Sequence, residues 1–457
     1  MTSPRHPASP RSTPELLAPA GSLQMMRTAF AYGADAVYAG QPRYSLRVRN
    51  NSFGKLDALE AGINEAHAAG KAFYLVSNIY PHNAKVRTFV EDMAPVVALK
   101  PDALIMADPG LIMMVRETWP EVDVHLSVQA NTTNYAAVRF WQSIGIKRII
   151  LSRELSLDEI EDIRQACPEM ELEVFVHGAL CVAYSGRCLL SGYFNHRDPN
   201  QGTCTNSCRW DYKVHDANED GTGDLHRCGS PGGQGMALGG GERHEAGQRV
   251  YLLEEGTRPG ELMPIEEDEH GTYILNSKDL RAVEHVERLV KIGVDSLKIE
   301  GRTKSPYYVA RVSQGYRRAI DDAMAGRPFD MRLLGELEGL ANRGYTNGFY
   351  QRHHTPEHQN YLRGHSESGR SLLVGELLEV DAAAGFAHVE VKNGFGVGDR
   401  LEFIQPAGNV IAPLEALEDA DRQPIARIPG AGKRVWVKLP EGLSPSVERP
   451  CFIARML

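Results

Sequence analysis

ELLAPAGSLQMMRTAFAYGADAVYAG (15–40) carries two short apolar runs, Leu16–Pro19 and Ala36–Gly40, on either side of a segment whose apolar residues fall at helical spacing. Gly33 stands near the end of that segment and marks its stop. The unit reads as strand, helix and parallel strand. It recurs down the chain. Further apolar runs, each ending in polar or glycine residues, lie at Ala72–Asn78, Ala103–Asp108, Val124–Gln129, Arg148–Arg153, Leu172–His177 and Ser296–Glu300. IGVDSLKIEG (292–301) repeats the layout of YGADAVYAG (32–40), with a glycine and an acid ahead of the run. Eight strands alternating with helices predict an α/β fold, a TIM-like (β/α)8 barrel. An open doubly wound sheet is the alternative, and the phosphate-binding GxGxxG expected after its first strand is missing.

In such a barrel the active site gathers at the C-terminal strand ends. Here those ends carry Gln41 and Arg43, Asn78, Asp108, Gln129 and Asn131, Arg153 and Glu154, His177, and Glu300 and Arg302. The chain has 457 residues, enough for two or more domains. Residues 1–14, rich in proline and serine, read as a disordered tail; they lack the apolar core of a signal peptide. Residues 15–350 read as the barrel, with an insertion at about 178–270, and 351–370 as a polar linker. From Ser371 to Leu457 the pattern changes to short alternating strands such as FAHVEVKN and KRVWVKL, a small C-terminal β-barrel. No run approaches the roughly 18 apolar residues of a membrane span, so a cytoplasmic location is expected. A formal net charge of −9 argues against a generally basic coat for nucleic acid and leaves only local basic patches for a phosphate backbone.

Four of the seven cysteines, Cys181, Cys188, Cys204 and Cys208, crowd the stretch after the seventh run. That density points to a metal or cluster site rather than to disulfides. Cys-x6-Cys followed by Cys-x3-Cys departs from the paired spacing of zinc ribbons, and four thiolates suit an iron–sulfur cluster. His177, His196 and His215 are available as substitute ligands, which keeps zinc open. The glycine-rich part of 215–270 reads as a mobile loop or excursion; it contains Cys228, a further ligand candidate. Cys167 and Cys451 read as packing residues.

QPRYSLRVRNNSF (41–53) sets Arg43, Arg47 and Arg49 among aromatic residues on the expected catalytic face. Spaced guanidinium groups suit phosphate or carboxylate, and the aromatics suit stacking on a base. SLKIEGRTKS (296–305) adds Lys298, Glu300, Arg302 and Lys304. Glu300 and Arg302 read equally as an ion pair or as a site pair. His177 is open to three roles: ligand, general base or structural histidine. Neither a zinc-protease HExxH nor a GxSxG nucleophile elbow occurs.

EVFVHGALCVAYSGRCLLSGYF (173–194) resembles the signature of the peptidase U-32, or collagenase-like protease, family. The opening ELLAPAGS, with SVQAN (127–131), LSRELS (151–156), NSKDLR (276–281), SLKIEGRTKS and NRGYTNGF (342–349), is similar to that family's bacterial tRNA-hydroxylation branch. The resemblance runs from about Glu15 to the C-terminus and is weakest at 215–250. It implies a TIM-like barrel followed by a small β-barrel, and formation of 5-hydroxyuridine at the tRNA wobble position, dependent on prephenate and on an iron–sulfur cluster, expected to be 4Fe–4S. By resemblance Cys181, Cys188 and Cys204 match cluster ligands, with Cys208 or Cys228 as the fourth. Arg153, His177 and Glu300 are then the expected catalytic group. Arg43, Arg47, Arg49, Arg302 and Lys304 would hold phosphate or the prephenate carboxylates. The expected partners are tRNA and an electron donor. A metal-dependent peptidase, an oxygen-independent quinone hydroxylase and an RNA-binding scaffold are the rival readings.

Overall fold

The computed structural model describes residues 13–46, 52–180, 279–302, 304–340, 345–351, 371–443, 445 and 449–457, and the backbone alone of short strands between 212 and 272. Eight parallel strands form the barrel: β1 (Glu15–Pro19), β2 (Ala36–Gly40), β3 (Ala72–Ser77), β4 (Ala103–Met106), β5 (Val124–Leu126), β6 (Arg148–Ile150), β7 (Glu171–Ala179) and β8 (Ser296–Ile299). They pair in sequence order, and β8 bonds to both β7 and β1, which closes the ring. Each coincides with one of the eight apolar runs.

The helices between them are α1 (Leu23–Ala31), α2 (Leu56–Ala68), α3 (Phe89–Val97), α4 (Pro109–Thr118), α5 (Tyr135–Ser143), α6 (Leu157–Ala166), α7 (Val286–Ile292) and α8 (Pro306–Met324). Their starts are written locally. Ser22, Asp108, Asn134, Ser156 and Ser305 each accept a bond from a first-turn backbone N–H, satisfying a donor the helix itself cannot. Ser156 and Glu159 complete a reciprocal capping box. α7 ends on Gly293 at φ +87°, a left-handed turn that only glycine adopts without strain. No helix among the described residues is long and apolar enough to cross a membrane.

Barrel interiors are usually filled by branched aliphatic side chains. Here the N-terminal half of the lumen is ionic. Arg148 on β6 reaches Glu15 on β1 at 2.6 Å, Glu171 at 2.9 Å and Glu173 on β7 at 3.4 Å. β1 and β6 are not neighbours, so the contact to Glu15 crosses the interior. Lys298 on β8 binds Glu173 at 2.7 Å, and the Tyr74 hydroxyl donates to Glu15 at 2.6 Å. Burial works against the charge of Arg148, but Glu15 and Glu173 more than offset it and raise its pKa. For Lys298 burial wins, and its pKa lies below the ordinary lysine value.

The C-terminal domain is a seven-stranded antiparallel sheet curled as a half-barrel. Its central strands are β9 (Ser371–Asp381), β10 (Phe386–Val391), β11 (Arg400–Ile404), β12 (Arg434–Lys438) and β13 (Phe452–Met456). β10 alternates between its two faces, with Ala387, Val389 and Val391 buried in the domain core. The sheet docks on α1 and α8. Arg311 binds Glu402 at 2.7 Å with both side chains almost fully buried, Gln314 donates to the Gln405 carbonyl at 3.0 Å, and Phe452 packs on Tyr32 and Tyr307.

The barrel is interrupted between β7 and α7. Within the insertion the strands Tyr212–Glu219, Leu225–Arg227, Tyr251–Glu255 and Leu262–Ile265 form a four-stranded antiparallel sheet, on either side of the glycine-rich part expected to be a loop; no strands were expected there. The chain returns through Asp279–Arg281, which pairs antiparallel with the end of β7.

The docking pair gives a direct test. Glu402→Ala removes the carboxylate paired with the buried Arg311 guanidinium and leaves it the Glu336 carbonyl at 3.4 Å, and the expected cost is about 3–5 kcal/mol in denaturant unfolding, with faster proteolysis between the domains. Removing the exposed partner Glu65 from Arg27 should cost less than about 1 kcal/mol. Equal effects of the two changes would refute the buried-pair account.

Candidate functional site

The C-terminal strand ends form a mouth with two chemically different sides. On one side Arg153, just past β6, binds Glu300, just past β8, at 3.2 Å. The contact spans the end of β7, and the guanidinium lies 3.8 Å from the centre of the Phe175 ring. Stacking on an aromatic face and pairing with a carboxylate together hold Arg153 in one orientation. Thus two of the three expected catalytic residues meet, and of the two sequence readings for Glu300 its ion pair is with Arg153.

Arg302 lies across the end of β2. Its Nη2 donates to the Leu46 carbonyl at 2.8 Å, and its guanidinium sits 5.8 Å from the Tyr38 ring centre. The approach is possible because residue 40 is glycine: a Cβ there would stand 2.8 Å from Nη1 of Arg302 and 2.6 Å from the Ser45 hydroxyl. Lys304 sits over the Tyr308 ring at 5.2 Å. Arg43 is half exposed and bound to Asp92 at 2.7 Å, while the Tyr44 hydroxyl donates to the same carboxylate at 2.5 Å. Lys85 donates to the Arg43 carbonyl at 3.3 Å. Burial first, and then the neighbouring Arg43, lower the pKa of Lys85. Lys85 thereby joins the basic rim, a residue the sequence reading did not select. Arg47 and Arg49 lie outside the described residues, as do Cys181, Cys188, Cys204, Cys208 and Cys228.

The other side of the mouth carries mostly uncharged polar groups. Asn78 after β3 donates to Ser127 after β5 at 3.1 Å, and Tyr80 donates to the Gln129 carbonyl at 2.7 Å. Asn131 adopts the left-handed conformation at φ 51°, with its side chain donating to the Gln129 carbonyl at 3.3 Å. Asp108 is committed to capping α4, bonding Leu111 N at 2.8 Å, and Glu154 to the Ser152 hydroxyl.

The His177 carbonyl accepts from Glu300 N at 2.8 Å, but its side chain does not join the Arg153–Glu300 pair. The pairing of β7 with β8 steps from Phe175↔Lys298 to His177↔Ile299, a bulge that skips Val176 and reverses which face His177 presents. Its ring lies instead among Tyr308, Tyr316 and Tyr345, at centroid distances of 5.4 to 5.8 Å. The Tyr316 hydroxyl donates to the Val176 carbonyl at 2.6 Å and accepts from Ala282 N at 3.0 Å. Nδ1 of His177, 3.4 Å from that oxygen, is therefore the donor of the pair. Burial, then Lys304 and Arg281, push the His177 pKa down to about 3. The imidazole is neutral near pH 7 and a weak proton acceptor, which suits a fixed structural group better than a general base.

Comparison with known proteins agrees with this layout. The Peptidase family U32 profile matches residues 21–360, and the profile of its C-terminal domain matches residues 370–447. The chain is 60% identical over 433 residues to the tRNA hydroxylation protein P of Escherichia coli, covering 94% of each chain. It is 55% identical to the protein of that name from Haemophilus influenzae, again over 94% of each. Identity to tRNA hydroxylation protein P1 of Bacillus subtilis is 34%, over 89% of this chain and 87% of that one.

The buried imidazole carries a pH signature. Below about 6.5 the unfolded chain protonates this histidine and the folded chain does not, so stability falls with falling pH. The slope is about 1.4 kcal/mol per pH unit until the folded value near 3 is reached. His177→Phe, which keeps a ring among the tyrosines, should flatten that loss; denaturant unfolding at pH 7 and pH 5 measures it. An unchanged pH slope in the variant would show that His177 titrates as an ordinary histidine.

Proposed function

We propose that this chain, which belongs to peptidase family U32, acts in tRNA hydroxylation, forming 5-hydroxyuridine at the wobble position with an iron–sulfur cluster and prephenate as co-substrate. The observation that carries the reading is 60% identity, along nearly the whole chain, to a protein named for tRNA hydroxylation. The site is compatible with it. Arg153, Arg302 and Lys304 outnumber Glu300 at one side of the mouth, a local positive field on an acidic protein. Such a field suits the phosphates of RNA and the carboxylates of a small co-substrate. Chemistry on a base requires that the base leave its stack, and an open barrel mouth can receive it.

Cys181, Cys188, Cys204 and Cys208 would hold the cluster, with Cys228 as the alternative fourth ligand. The donor set fits, since four thiolates are what such clusters take. Bound there, the cluster would supply electron transfer. The described flanks of that segment, Ala179 and Asp279, pair with each other at the C-terminal end of the barrel, on the face that carries Arg153 and Glu300. The chain's own part would be to hold phosphate and carboxylate through Arg302, Lys304 and the 43–49 loop, while the Phe175 ring and Glu300 keep Arg153 in place.

Nucleoside mass spectrometry of tRNA from a deletion strain, with any parallel hydroxylation route removed, tests the reading. 5-Hydroxyuridine and its derivatives should disappear, return with the wild-type gene and stay absent with Cys181→Ala, whose barrel should still fold. Unchanged tRNA throughout would overturn it and leave a metal-dependent peptidase, as the family name has it, as the reading to pursue.

A further inference from the structure

Gln129 is presented at the mouth from a constrained backbone. Its backbone is fixed on every side: N donates to the Ser127 hydroxyl at 3.3 Å, and its carbonyl accepts from Tyr80 at 2.7 Å and from Asn131 at 3.3 Å. Ser127 is itself positioned by Asn78, and Asn131 keeps its left-handed turn by donating from N to the Val128 carbonyl at 3.0 Å. Yet the half-buried Gln129 carboxamide makes no hydrogen bond among the described residues. A side chain on so constrained a backbone is presented at a fixed place with its donor and acceptor both available.

The division of the mouth says what it would bind. The Arg153, Arg302 and Lys304 side is charged and fits anions. Around Gln129 the side chains of Asn78, Tyr80, Ser127, Asn131 and Thr132 are all uncharged, while the carboxylates of Asp108 and Glu154 are engaged by Leu111 N and the Ser152 hydroxyl. An uncharged partner with adjacent donor and acceptor fits there. The edge of uracil is one: its N3–H donates and its O4 accepts, the complement of a carboxamide. Resting on the tRNA reading above, we infer that Gln129 recognises the target base, accepting from N3–H and donating to O4 while the charged side holds the backbone.

Binding of the full chain, purified without exposure to air, to anticodon stem–loop RNAs tests this. One RNA carries uridine at the target position and the other an abasic nucleotide. Wild type should prefer the uridine RNA. Gln129→Leu should lose roughly tenfold in affinity for that RNA and nothing for the abasic one. Equal weakening on both RNAs would assign Gln129 a merely structural role, and no weakening, or a wild type blind to the missing base, would also overturn the inference. A wild type that binds neither RNA would remove the tRNA reading itself, a result distinct from the others.

Discussion

The contact between Glu15 and Arg148 crosses the inside of the barrel, and much else is arranged around it. A buried guanidinium is tolerable only with carboxylates beside it, and Arg148 has three, contributed by β1 and β7. Glu173 in turn holds Lys298, whose ammonium lies 4.5 Å from the Tyr38 ring centre and 5.5 Å from that of Phe175. A slip of one residue in any of these strands would turn a charge towards the helices with no partner. The ionic floor thus ties the strand register together more tightly than an aliphatic filling, in which neighbouring side chains are interchangeable.

That floor is continuous with the mouth. Phe175 has Lys298 on one side and the Arg153 guanidinium 3.8 Å from its ring centre, and Arg153 meets Glu300 on the strand that bears Lys298. The Arg153–Glu300 pair, though just past the strand ends, is therefore braced by buried strand residues. The neutral side rests on hydrogen bonds between the ends of β3 and β5, which are not adjacent strands. Rigid support on both sides would suit the proposed RNA ligand, which presents a charged backbone and a neutral base in fixed relation.

The barrel was legible in the sequence because its signals are local. Apolar runs, helical spacing and glycine stops recur in the same order, and each strand lies where its run predicted. The Arg153–Glu300 pair was half legible, as two residues at strand ends whose meeting needs the ring to close. What escaped was non-local. The outward turn of His177 comes from one skipped residue, Val176, and no residue of the run EVFVHG marks where the alternation breaks. Asp92, 49 positions after Arg43, gave no sign that it would hold that arginine. The small sheet inside the insertion was hidden because glycine-rich surroundings read as loop. Gln129 stood in view as a polar strand end, but only its fixed backbone and idle carboxamide single it out.

One feature of the topology bears on how the barrel closes. The insertion leaves the barrel at Ala179 and comes back at Asp279, and these two residues are direct partners across an antiparallel pair. The gap in the ring is thus already bridged by backbone hydrogen bonds, whatever the intervening segment is doing. Closing a longer loop raises the entropic cost only logarithmically, so the excursion can lengthen or shorten with little effect on the frame that carries it. Closure of the barrel and the length of the excursion become separable: the frame is completed by contacts among β1 to β8 and the returning strand Asp279–Arg281 alone.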